Sequence, residues 1–388
     1  MDLEMNAESK EKVLLVVALP PPYHGVTVAN DILINSEVMK RRYDFSVVPL
    51  NRDVLRLGGD FAVKTLLGDL KVVLKVIGVT LRQRPRLTFF CIAQTRWGLW
   101  RECTLIWLTR LLGAKCLVQL RGGNFRNILE HQIPHAWEKQ VIKRTLQWLN
   151  GVIVLDASLA WNFLGLVTPE RIHMLANGIP QSCIPPARVD AAMGERQESR
   201  KLRVTYLSNL LPGKGYLTFL ETAGLLKQRS QADNFVFNLA GAAPGPTVAQ
   251  EVEEFVRRHD LQDSVRVVGK VLDTEKWDLL LNSDVFVFPP YLPEGQPWSI
   301  IEAMAAGLPV ISTNKGSIPS MVKEGLNGYI VPENQAAAIA EKLVLLQQNP
   351  ELRLAMSRAS RERYCSHYTG ERFVQGFTDI LAKVMAEG

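Results

Sequence analysis

The sequence is poor in features that bind metals or form disulfides. Its five cysteines are scattered over 388 residues, and no two of them form a C-x-x-C pair. This spacing argues against a disulfide framework and against a structural zinc site, and it suits a reducing compartment. There is also no D-x-D-type acidic cluster of the kind that holds a divalent metal ion. We therefore expect the protein to work without a metal and without a bound cofactor.

Long hydrophobic runs are missing as well. No apolar run reaches the ~18 residues that a membrane-spanning helix needs. The segment MDLEMNAESKEK begins with acidic residues where a secretory signal would carry basic ones. With 47% hydrophobic and 22% charged residues the composition is that of an ordinary globular protein, and the length suits two domains. These observations predict a folded cytoplasmic protein.

Acidic residues are scarce in one part of the chain. Residues 51–150 contain 17 Lys and Arg but only 6 Asp and Glu, a net charge of +11, whereas the whole chain carries +6. The remaining residues are therefore net acidic. A basic patch of this size attracts an anionic surface, an anionic substrate or nucleic acid. Since no nucleic-acid-binding module is recognisable, we expect no nucleic acid partner.

The basic stretch has two interpretations. Its positive side chains are interleaved with leucines, valines and tryptophans over residues 64–107. Such a mixture is typical of a helix lying on anionic lipid, which would put the protein on the inner face of the plasma membrane. The alternative is an amphipathic helix that covers a sheet and keeps its charges in water. The residues concerned are Lys64, Lys71, Lys75, Arg82, Arg84 and Arg86, followed by Trp97, Trp100, Arg101 and Trp107.

What the sequence does contain is a regular alternation of short apolar runs and helix-length segments. Alternation of this kind predicts βαβ units, with a parallel sheet covered on both faces. The strands are predicted at 13–19, 45–50, 87–93, 115–120, 152–155 and 171–175, then at 203–208, 235–240, 265–268, 285–288, 309–312 and 328–331. The helices between them include 26–40, 100–112, 247–259, 274–282 and 297–306.

The alternation is interrupted once. Residues 181–200 hold two prolines, much charge and no strand-like run, which is typical of an interdomain linker. We therefore expect an N-terminal Rossmann-like acceptor domain at 1–185, a linker at 186–202 and a C-terminal Rossmann-like domain at 203–366. The helix at about 367–388 is expected to pack back on the first domain. Two open sheets of this kind bind ligands beyond the carboxyl ends of their strands, so a cleft between two such edges is the expected pocket.

The most informative segment is FVFPPYLPEGQPWSIIEAMAAGLPVISTNKGSIPSMV. A buried strand ends there, and a loop carries Glu294. Pro297 suits the start of a helix, and Gly307 its end. The free N–H groups at that helix start make an anion site. Glu302 lies in the second turn of an otherwise apolar helix, so it is half buried and needs a polar partner; the alternative is that both glutamates are surface carboxylates.

This segment resembles the glutamate–seven residues–glutamate motif of the retaining GT-B glycosyltransferases of family four, also called glycosyl transferases group 1. The resemblance extends through Glu302-Ala303-Met304-Ala305-Ala306-Gly307-Leu308-Pro309-Val310 and Gly325…Asn327-Gly328. It covers about 204–331 closely and the first half only by strand order and short turns. It implies a GT-B architecture of two Rossmann-like doubly wound α/β domains facing across a cleft. It also implies that Glu294 contacts the transferred sugar and that Glu302 holds the ribose hydroxyls.

A second motif follows the first strand of the C-terminal half. In VTYLSNLLPGKGYLTFLETAGLL, Lys214 opens a helix, where a cation is unfavourable unless it meets an anion. The resemblance implies that this lysine binds the donor diphosphate, and its side chain is expected to project into solvent or ligand. The family has an arginine five residues earlier, and this chain has Asn209. Either Asn209 binds by hydrogen bonds alone, or an arginine from elsewhere replaces the missing charge.

The first half carries weaker signals. After its first strand the family has a glycine-rich turn, and here only Gly25 remains, with His24 in the place of the other glycine. Arg121 stands where the family commonly has histidine. Arginine stays protonated, so it cannot act as a general base, but it can bind phosphate or carboxylate through two hydrogen bonds. A structural arginine that pairs with a neighbour is the alternative. The turn Asn177-Gly178-Ile179-Pro180 ends the first domain, as in the family; we interpret it as structural, with a contact to the donor as the alternative.

The sequence therefore predicts two sets of site residues. The catalytic set is Glu294, Lys214 and Arg121. The donor-binding set is Gly25, Asn209, Gly241, Gly269, Gln296, Ser299 and Glu302, with the backbone of residues 268–271 expected at the base.

The predicted function is retaining transfer of a sugar, of the hexosyltransferase type, from a UDP- or GDP-linked donor to a glycan or lipid-linked acceptor, in surface polysaccharide or glycolipid biosynthesis. In the expected mechanism the donor phosphate takes the acceptor proton on the same face. Two alternatives stay open. The changes at Asn209, His24 and Arg121 allow a degenerate protein that binds a nucleotide sugar without turnover. A sugar-nucleotide epimerase would need a second acid pair near the N-terminal turns, and the sequence has none there.

Overall fold

The structure is a computed structural model that describes residues 10–21, 25–50, 63–198 and 201–387. Contacts divide the chain into two compact units. The first unit comprises the residues up to Ala176 together with those from Glu371 onward, and the second is Asn177–Gly370. The boundary thus lies before the predicted linker, and the C-terminal segment belongs to the first unit.

The described residues form two parallel sheets of six strands each. In chain order the strands are β1 (Glu11–Val17), β2 (Tyr43–Pro49), β3 (Leu87–Cys91), β4 (Lys115–Gln119), β5 (Gly151–Val154), β6 (Ile172–Met174), β7 (Leu202–Leu207), β8 (Phe235–Ala240), β9 (Val265–Gly269), β10 (Val285–Phe288), β11 (Val310–Thr313) and β12 (Gly328–Val331). All the strands predicted from the sequence are present, with ends shifted by two residues or fewer.

Helices lie between the strands. They are α1 (Gly25–Asn35), α2 (Glu37–Arg42), α3 (Val63–Gln83), α4 (Arg96–Leu111), α5 (Phe125–Asn127), α6 (Ala136–Leu146), α7 (Pro186–Glu198), α8 (Tyr216–Gln228), α9 (Pro246–Arg258), α10 (Asp273–Leu281), α11 (Trp298–Ala305), α12 (Ile318–Met321), α13 (Ala336–Gln348), α14 (Pro350–His367) and α15 (Gly370–Ala386). A π-helical turn at Ile128–Gln132 continues α5. Within the described ranges, no helix combines the length and the apolar character needed to cross a bilayer.

The order of the strands indicates where a ligand site is expected. The second sheet has the order β12-β11-β10-β7-β8-β9, so the chain leaves β7 in one direction and returns to β10 on its other side. The first sheet has the order β2-β1-β3-β4-β5-β6, with the corresponding reversal between β1 and β3. In open α/β sheets the crevice beyond the carboxyl ends at such a reversal is the usual ligand site. The loops after β7 and β10 therefore lie at the switch point of the second unit.

The C-terminal helix α15 packs on the first sheet. The ring of Phe377 meets that of Phe89 edge-on at 4.8 Å between centroids. The hydroxyl of Tyr43 donates to the carbonyl oxygen of Thr378 at 3.0 Å. These contacts explain why the last helix, although it follows the second unit in sequence, belongs to the first.

The predicted helix over 26–40 is two helices in the structure. Ser36 adopts an extended conformation (φ −68°, ψ 126°), and its hydroxyl accepts a hydrogen bond from the N–H of Met39 at 3.4 Å. Serine in this conformation begins a new helix, because its oxygen replaces the missing backbone acceptor. The apolar periodicity runs through the break, so it does not reveal the serine cap.

The segment expected to be a linker is largely helical in the structure. Residues 186–202 contain α7, whose first residue is Pro186, a position where proline is favourable because its missing N–H is not needed. Arg196 on this helix is 3% exposed. Its guanidinium donates to the carbonyl oxygens of Leu280, Leu281, Ala306 and Gly307 at 2.9–3.3 Å. One buried side chain thus satisfies the C-terminal ends of α10 and α11.

Part of the basic stretch is buried rather than exposed. Arg101 is held by Asp69 at 3.3 Å and by the adjacent carboxylate of Glu102, and its side chain is 8% exposed. The indole N–H of Trp107 donates to Thr145 at 2.9 Å. Arg101 is therefore not available to a surface partner, and Trp107 joins α4 to Thr145 of α6.

Replacing Arg196 by methionine should lower the free energy of unfolding by about 3 kcal/mol or more, because several buried carbonyl oxygens lose their donor. Arg188→Met on the same helix is the matched control. Arg188 pairs at 2.7 Å with Asp278 on α10, one of the two helices that Arg196 contacts, but both side chains of this pair are about half exposed. A surface pair of this kind contributes about 0–1 kcal/mol. Equal losses for the two variants in urea titrations would contradict the capping role.

Candidate active site

Lys214 and Glu294 meet at the switch point of the second unit. Lys214 lies in the loop after β7, and Glu294 in the loop after β10, the neighbouring strand in the sheet. The lysine Nζ lies 2.5 Å from the Oε1 of Glu294. The glutamate side chain is 12% exposed and the lysine 30%. The structure thus brings together two of the three residues predicted to be catalytic, and it shows that Lys214 contacts a buried carboxylate rather than projecting freely into solvent.

Two glycines allow the loops to approach this closely. Gly215 has φ +80°, and a Cβ there would collide with the carbonyl of Pro289. Gly316, in the loop after β11, has φ +54°, and a Cβ there would collide with the backbone of Glu294. Both positions need left-handed backbone and the absence of a side chain. The loops after β7, β10 and β11 are therefore packed backbone to backbone around Glu294.

Burial controls the ionisation of Glu294. Its removal from water raises the pKa of the carboxyl above the ordinary glutamate value, and the Lys214 ammonium opposes this shift. The lysine also lies 5.8 Å from the centre of the Phe288 ring. Below the pair, the buried hydroxyl of Tyr206 donates to the carbonyl oxygen of Lys214 at 3.2 Å, which fixes the loop that carries the lysine.

Glu302 has a partner that the sequence analysis missed. Its Oε1 lies 2.6 Å from the Nζ of Lys276, and both side chains are mostly buried, at 13% and 24% exposed. Lys276 lies on α10 and stacks at 5.1 Å over the ring of its neighbour Trp277. A half-buried acid on an apolar helix predicts a polar partner, but that partner is 26 residues away in sequence, and only the packing of α10 against the rest of the unit reveals it.

The start of α11 lies between the two glutamates in sequence. Pro297 is the N-cap, and the N–H groups of Ile300 and Ile301 donate back to its carbonyl oxygen. Ser299, predicted at the donor, lies in the first turn and is half buried. The N-terminal end of this helix carries the positive end of its dipole.

Gln296 is buried in a reciprocal pair with Asn177. Its side-chain oxygen accepts from the backbone N–H of Asn177 at 2.8 Å, and the Asn177 amide donates back to the carbonyl oxygen of Gln296 at 3.2 Å. The side-chain oxygen of Gln296 is therefore already used. This pair anchors the first residue of the second unit beside the loop that carries Glu294.

The remaining residues predicted to bind the donor lie at the carboxyl ends of β7, β8 and β9. Asn209 is exposed just beyond β7. Gly241, after β8, donates its N–H to the carbonyl oxygen of Gly269, at the end of β9, at 2.8 Å. Val268, the first residue of the predicted base contact, is 38% exposed on the edge strand β9.

Two predicted residues lie in the first unit. Gly25 is the first residue of α1, and His24, which precedes it, lies outside the described residues. Arg121 follows β4, where its guanidinium lies 5.6 Å from the centre of the Phe373 ring. Burial lowers the pKa of Arg121, which is partly offset by the nearby thiol of Cys91. Among the described residues, no group of three or more His, Cys, Asp or Glu is arranged to hold a metal ion.

The C-terminal part of the chain matches a known family. Residues 193–363, which lie within the second unit, match the family model described as glycosyl transferases group 1. The chain is 28% identical over 231 residues to the putative colanic acid biosynthesis glycosyltransferase WcaL of Escherichia coli (strain K12), which covers 58% of this chain and 52% of WcaL. It is 28% identical over 188 residues to the amylovoran biosynthesis glycosyltransferase AmsK of Erwinia amylovora, which covers 47% of this chain and 45% of AmsK. The matches thus span about half the length of these relatives.

Solved structures share the fold of the whole chain. A glycosyltransferase from Rickettsia africae superposes with a TM-score of 0.76 at 16% identity, covering 98% of this chain and all of that one. Anabaena Alr3699/HepE in complex with UDP gives 0.72 at 15% identity, covering 96% of this chain and all of that one. The predicted α/β fold class, with the two parallel sheets of GT-B glycosyltransferases, is confirmed.

Lys214→Ala should destabilise the protein in a pH-dependent way. Without the lysine, the pKa of buried Glu294 rises further, so the folded state holds a proton that the unfolded state releases. Stability is then lost as the pH rises above the ordinary glutamate value of 4.5. We expect a loss of about 1–3 kcal/mol at pH 8 and a smaller loss at pH 5.

The measurement is a denaturant titration of parent and variant at both pH values. Lys227→Ala is the control, because Lys227 pairs at 3.1 Å with Asp260, which is 81% exposed. The double variant Lys214→Ala/Glu294→Gln should lose the pH dependence. An equal loss at pH 5 and pH 8 for Lys214→Ala would show that Glu294 does not control the ionisation of this site.

Proposed function

We propose that this protein is a retaining glycosyltransferase. It would move a sugar from a UDP- or GDP-linked donor to a glycan or lipid-linked acceptor, in the biosynthesis of a surface polysaccharide or glycolipid. The observation that carries the proposal is the buried Lys214–Glu294 pair at the switch point of a glycosyl transferases group 1 domain. A carboxylate and an ammonium held together at that edge can bind the two halves of one ligand, a hydroxyl-rich sugar and a diphosphate.

The donor would extend along the carboxyl edge of the second sheet. Glu294 accepts hydrogen bonds from hydroxyls of the transferred sugar. Lys214 and the N-terminal turn of α11 face the diphosphate. Glu302, whose carboxylate is held by Lys276 at 2.6 Å, accepts from the vicinal hydroxyls of the ribose. Because Lys276 uses one carboxylate oxygen and fixes the side chain, the other oxygen is oriented before the nucleotide arrives.

The chemical step needs stabilisation of the leaving group. Negative charge grows on the nucleoside diphosphate as the sugar bond breaks, and Lys214 with the helix dipole of α11 stabilises it in a partly dry site. The donor phosphate takes the proton of the acceptor hydroxyl on the face that it leaves, so the new bond forms on that face with retention. Since the positive charge comes from the protein, we expect the reaction to need no divalent metal and no cofactor.

The comparisons support the class of product. WcaL and AmsK are named for colanic acid and amylovoran biosynthesis, and HepE was solved with UDP. These names favour UDP-sugars as first donors to test and an exopolysaccharide or its precursor as the acceptor class.

The direct test is incubation with a panel of labelled UDP- and GDP-sugars, with and without EDTA, following hydrolysis and transfer. We expect one donor to be turned over, with the anomeric configuration retained, whether or not EDTA is present. Binding without turnover would favour a degenerate binding protein. Appearance of an epimeric sugar nucleotide would favour an epimerase. Activity that EDTA abolishes and magnesium or manganese restores would contradict metal independence.

Glu302→Ala should weaken donor binding more than it slows the reaction. Ribose contacts are alike in the ground state and the transition state, so their loss raises KM and leaves kcat nearly unchanged. Glu302→Gln keeps one accepting oxygen and should lie between the alanine variant and the parent. An unchanged donor KM with a collapsed kcat would show that Glu302 acts on the chemistry.

Lys214→Ala should lower turnover at saturating donor by about a hundred- to a thousandfold, because a charge aimed at the leaving group acts mainly in the transition state. Lys214→Arg keeps the charge and is expected to retain more activity. Lys227→Ala, on the helix that follows Lys214, is the control for a lost lysine. A folded Lys214→Ala variant that keeps more than about a tenth of parental turnover would mean that another group holds the diphosphate.

A second proposal concerns helix α3. Leu70, Leu74 and Leu81 are 51–59% exposed on its outer face, where Lys71, Lys75 and Arg82 are exposed beside them. The acidic residue of this helix, Asp69, is paired with Arg101 and does not offset the basic charge. Leucines and cations on one exposed helix face are suited to an anionic bilayer. We propose that this face lies on anionic lipid.

The protein should therefore float with vesicles that contain phosphatidylserine and not with neutral ones, and added salt should release it. Replacing Lys71, Lys75, Arg82 and Arg84 by glutamine should abolish flotation, at about 1 kcal/mol for each contact. Replacing Lys201, Arg229, Arg257 and Arg266, which are exposed in the second unit, gives the same change of charge and should have no effect. Flotation that is indifferent to lipid charge would remove this proposal.

A further inference from the structure

A second polar group lies at the switch point of the first unit. Cys91 ends β3, and its register partner on β4 is Gln119, so both side chains lie on the same face of the sheet. Arg121, two residues after Gln119, lies on that face too. The Arg121 guanidinium and the Asn30 side chain, on α1, both lie within hydrogen-bonding reach of the Cys91 thiol. We call these four residues, Asn30, Cys91, Gln119 and Arg121, the Gln119 cluster.

The amide groups of this cluster are incompletely satisfied. Gln119 is fully buried, and neither its nitrogen nor its oxygen has a partner among the described residues. Asn30 is 1% exposed, and its amide nitrogen donates to the carbonyl oxygen of Ala18 at 2.9 Å. Its side-chain oxygen accepts no hydrogen bond from any residue that the structure describes. Buried polar atoms in folded proteins are almost always hydrogen-bonded, and exceptions mark bound water or a ligand. A leucine at position 119 would suit a purely structural strand better.

The charge of the cluster indicates what such a ligand is. The guanidinium of Arg121 is a planar fork that suits two oxygens of a carboxylate or phosphate. It lies against the ring of Phe373 at 5.6 Å, which limits its orientations. The amide nitrogen of Gln119 is a further donor, while the amide oxygens of Gln119 and Asn30 accept from hydroxyls. Burial lowers the pKa of Arg121, so an anion beside it would stabilise its charged form.

We propose that the Gln119 cluster binds an oxyanion, a carboxylate or a phosphate, carried by a sugar next to its hydroxyls. That this sugar is the acceptor of the reaction rests on the proposed function, whereas the binding of the sugar does not. An acidic sugar would offer hydroxyls to the three amide atoms and an anion to the guanidinium, whereas a neutral sugar would offer hydroxyls alone.

The test is calorimetric titration of the full chain with glucuronate, glucose 6-phosphate and glucose, in the absence of any nucleotide sugar. We expect at least one of the two anionic sugars to bind about tenfold or more tightly than glucose. The better of the two identifies the anion as carboxylate or phosphate. No preference of either anionic sugar over glucose would overturn the proposal.

Variants locate the site. Gln119→Leu should weaken the anionic sugar about tenfold and melt at the same temperature as the parent or higher, because it removes unsatisfied buried atoms. Arg121→Gln should remove the preference for the anion, and Arg121→Lys should restore part of it. If Arg121→Gln does not fold, Gln119→Met and Arg121→Lys carry the same comparison. Weaker binding with a lower melting temperature in Gln119→Leu would mean that Gln119 is structural and would overturn the assignment.

Lys214→Ala is the control for the donor site. If it abolishes the binding of anionic sugars while the Gln119 and Arg121 variants keep it, the anion lies at the diphosphate site and the proposal fails. These titrations do not depend on turnover. Failure of the nucleotide-sugar assay would therefore contradict the proposed function and leave the binding result intact, and the reverse holds as well.

Discussion

The ion pair between Lys214 and Glu294 constrains the strand order and the loops of the second unit. A carboxylate that is 12% exposed needs a charged partner, and that partner comes from a loop 80 residues earlier in the chain. Such a contact requires β7 and β10 to be neighbours, which the strand order of the sheet provides. It also requires backbone without side chains where the loops touch, at Gly215 and Gly316. Strand order, loop length and glycine positions in this unit can therefore be understood as conditions for keeping one charge pair out of water.

Much of this was predictable because the signals are local. The strands are short, apolar and bounded by turns, so the sequence predicts their ends to within two residues. The positions of Glu294, Glu302 and Lys214 follow from motifs within single strand–loop–helix units. What escaped prediction depends on contacts between distant segments: Lys276 beside Glu302, Asn177 beside Gln296, and Arg196 between two helix ends. The last was hidden because α7 is polar and begins with proline, so its composition is that of a linker.

The two units differ in how far they can be interpreted. The family match is confined to residues 193–363, in the unit that would hold the donor. The first unit lies outside that match, and its turns depart from the family pattern at His24 and Arg121. This division is physically reasonable, since a nucleotide diphosphate presents the same groups to every enzyme that uses it, while acceptors differ. Residues such as Gln119 and Arg121 therefore have to be interpreted from burial and hydrogen bonding alone.

The four hydrogen bonds of Arg196 connect α7 to the two helices that carry Lys276 and Glu302. Its guanidinium joins the last turns of α10 and α11, and these helices carry Lys276 and Glu302. The separation of the two helices is thus set at their C-terminal ends by Arg196, and the Lys276–Glu302 ion pair joins them again. In the proposed function, a substitution in α7 would change the spacing of α10 and α11, and with it the nucleotide site, without altering any residue that lines that site.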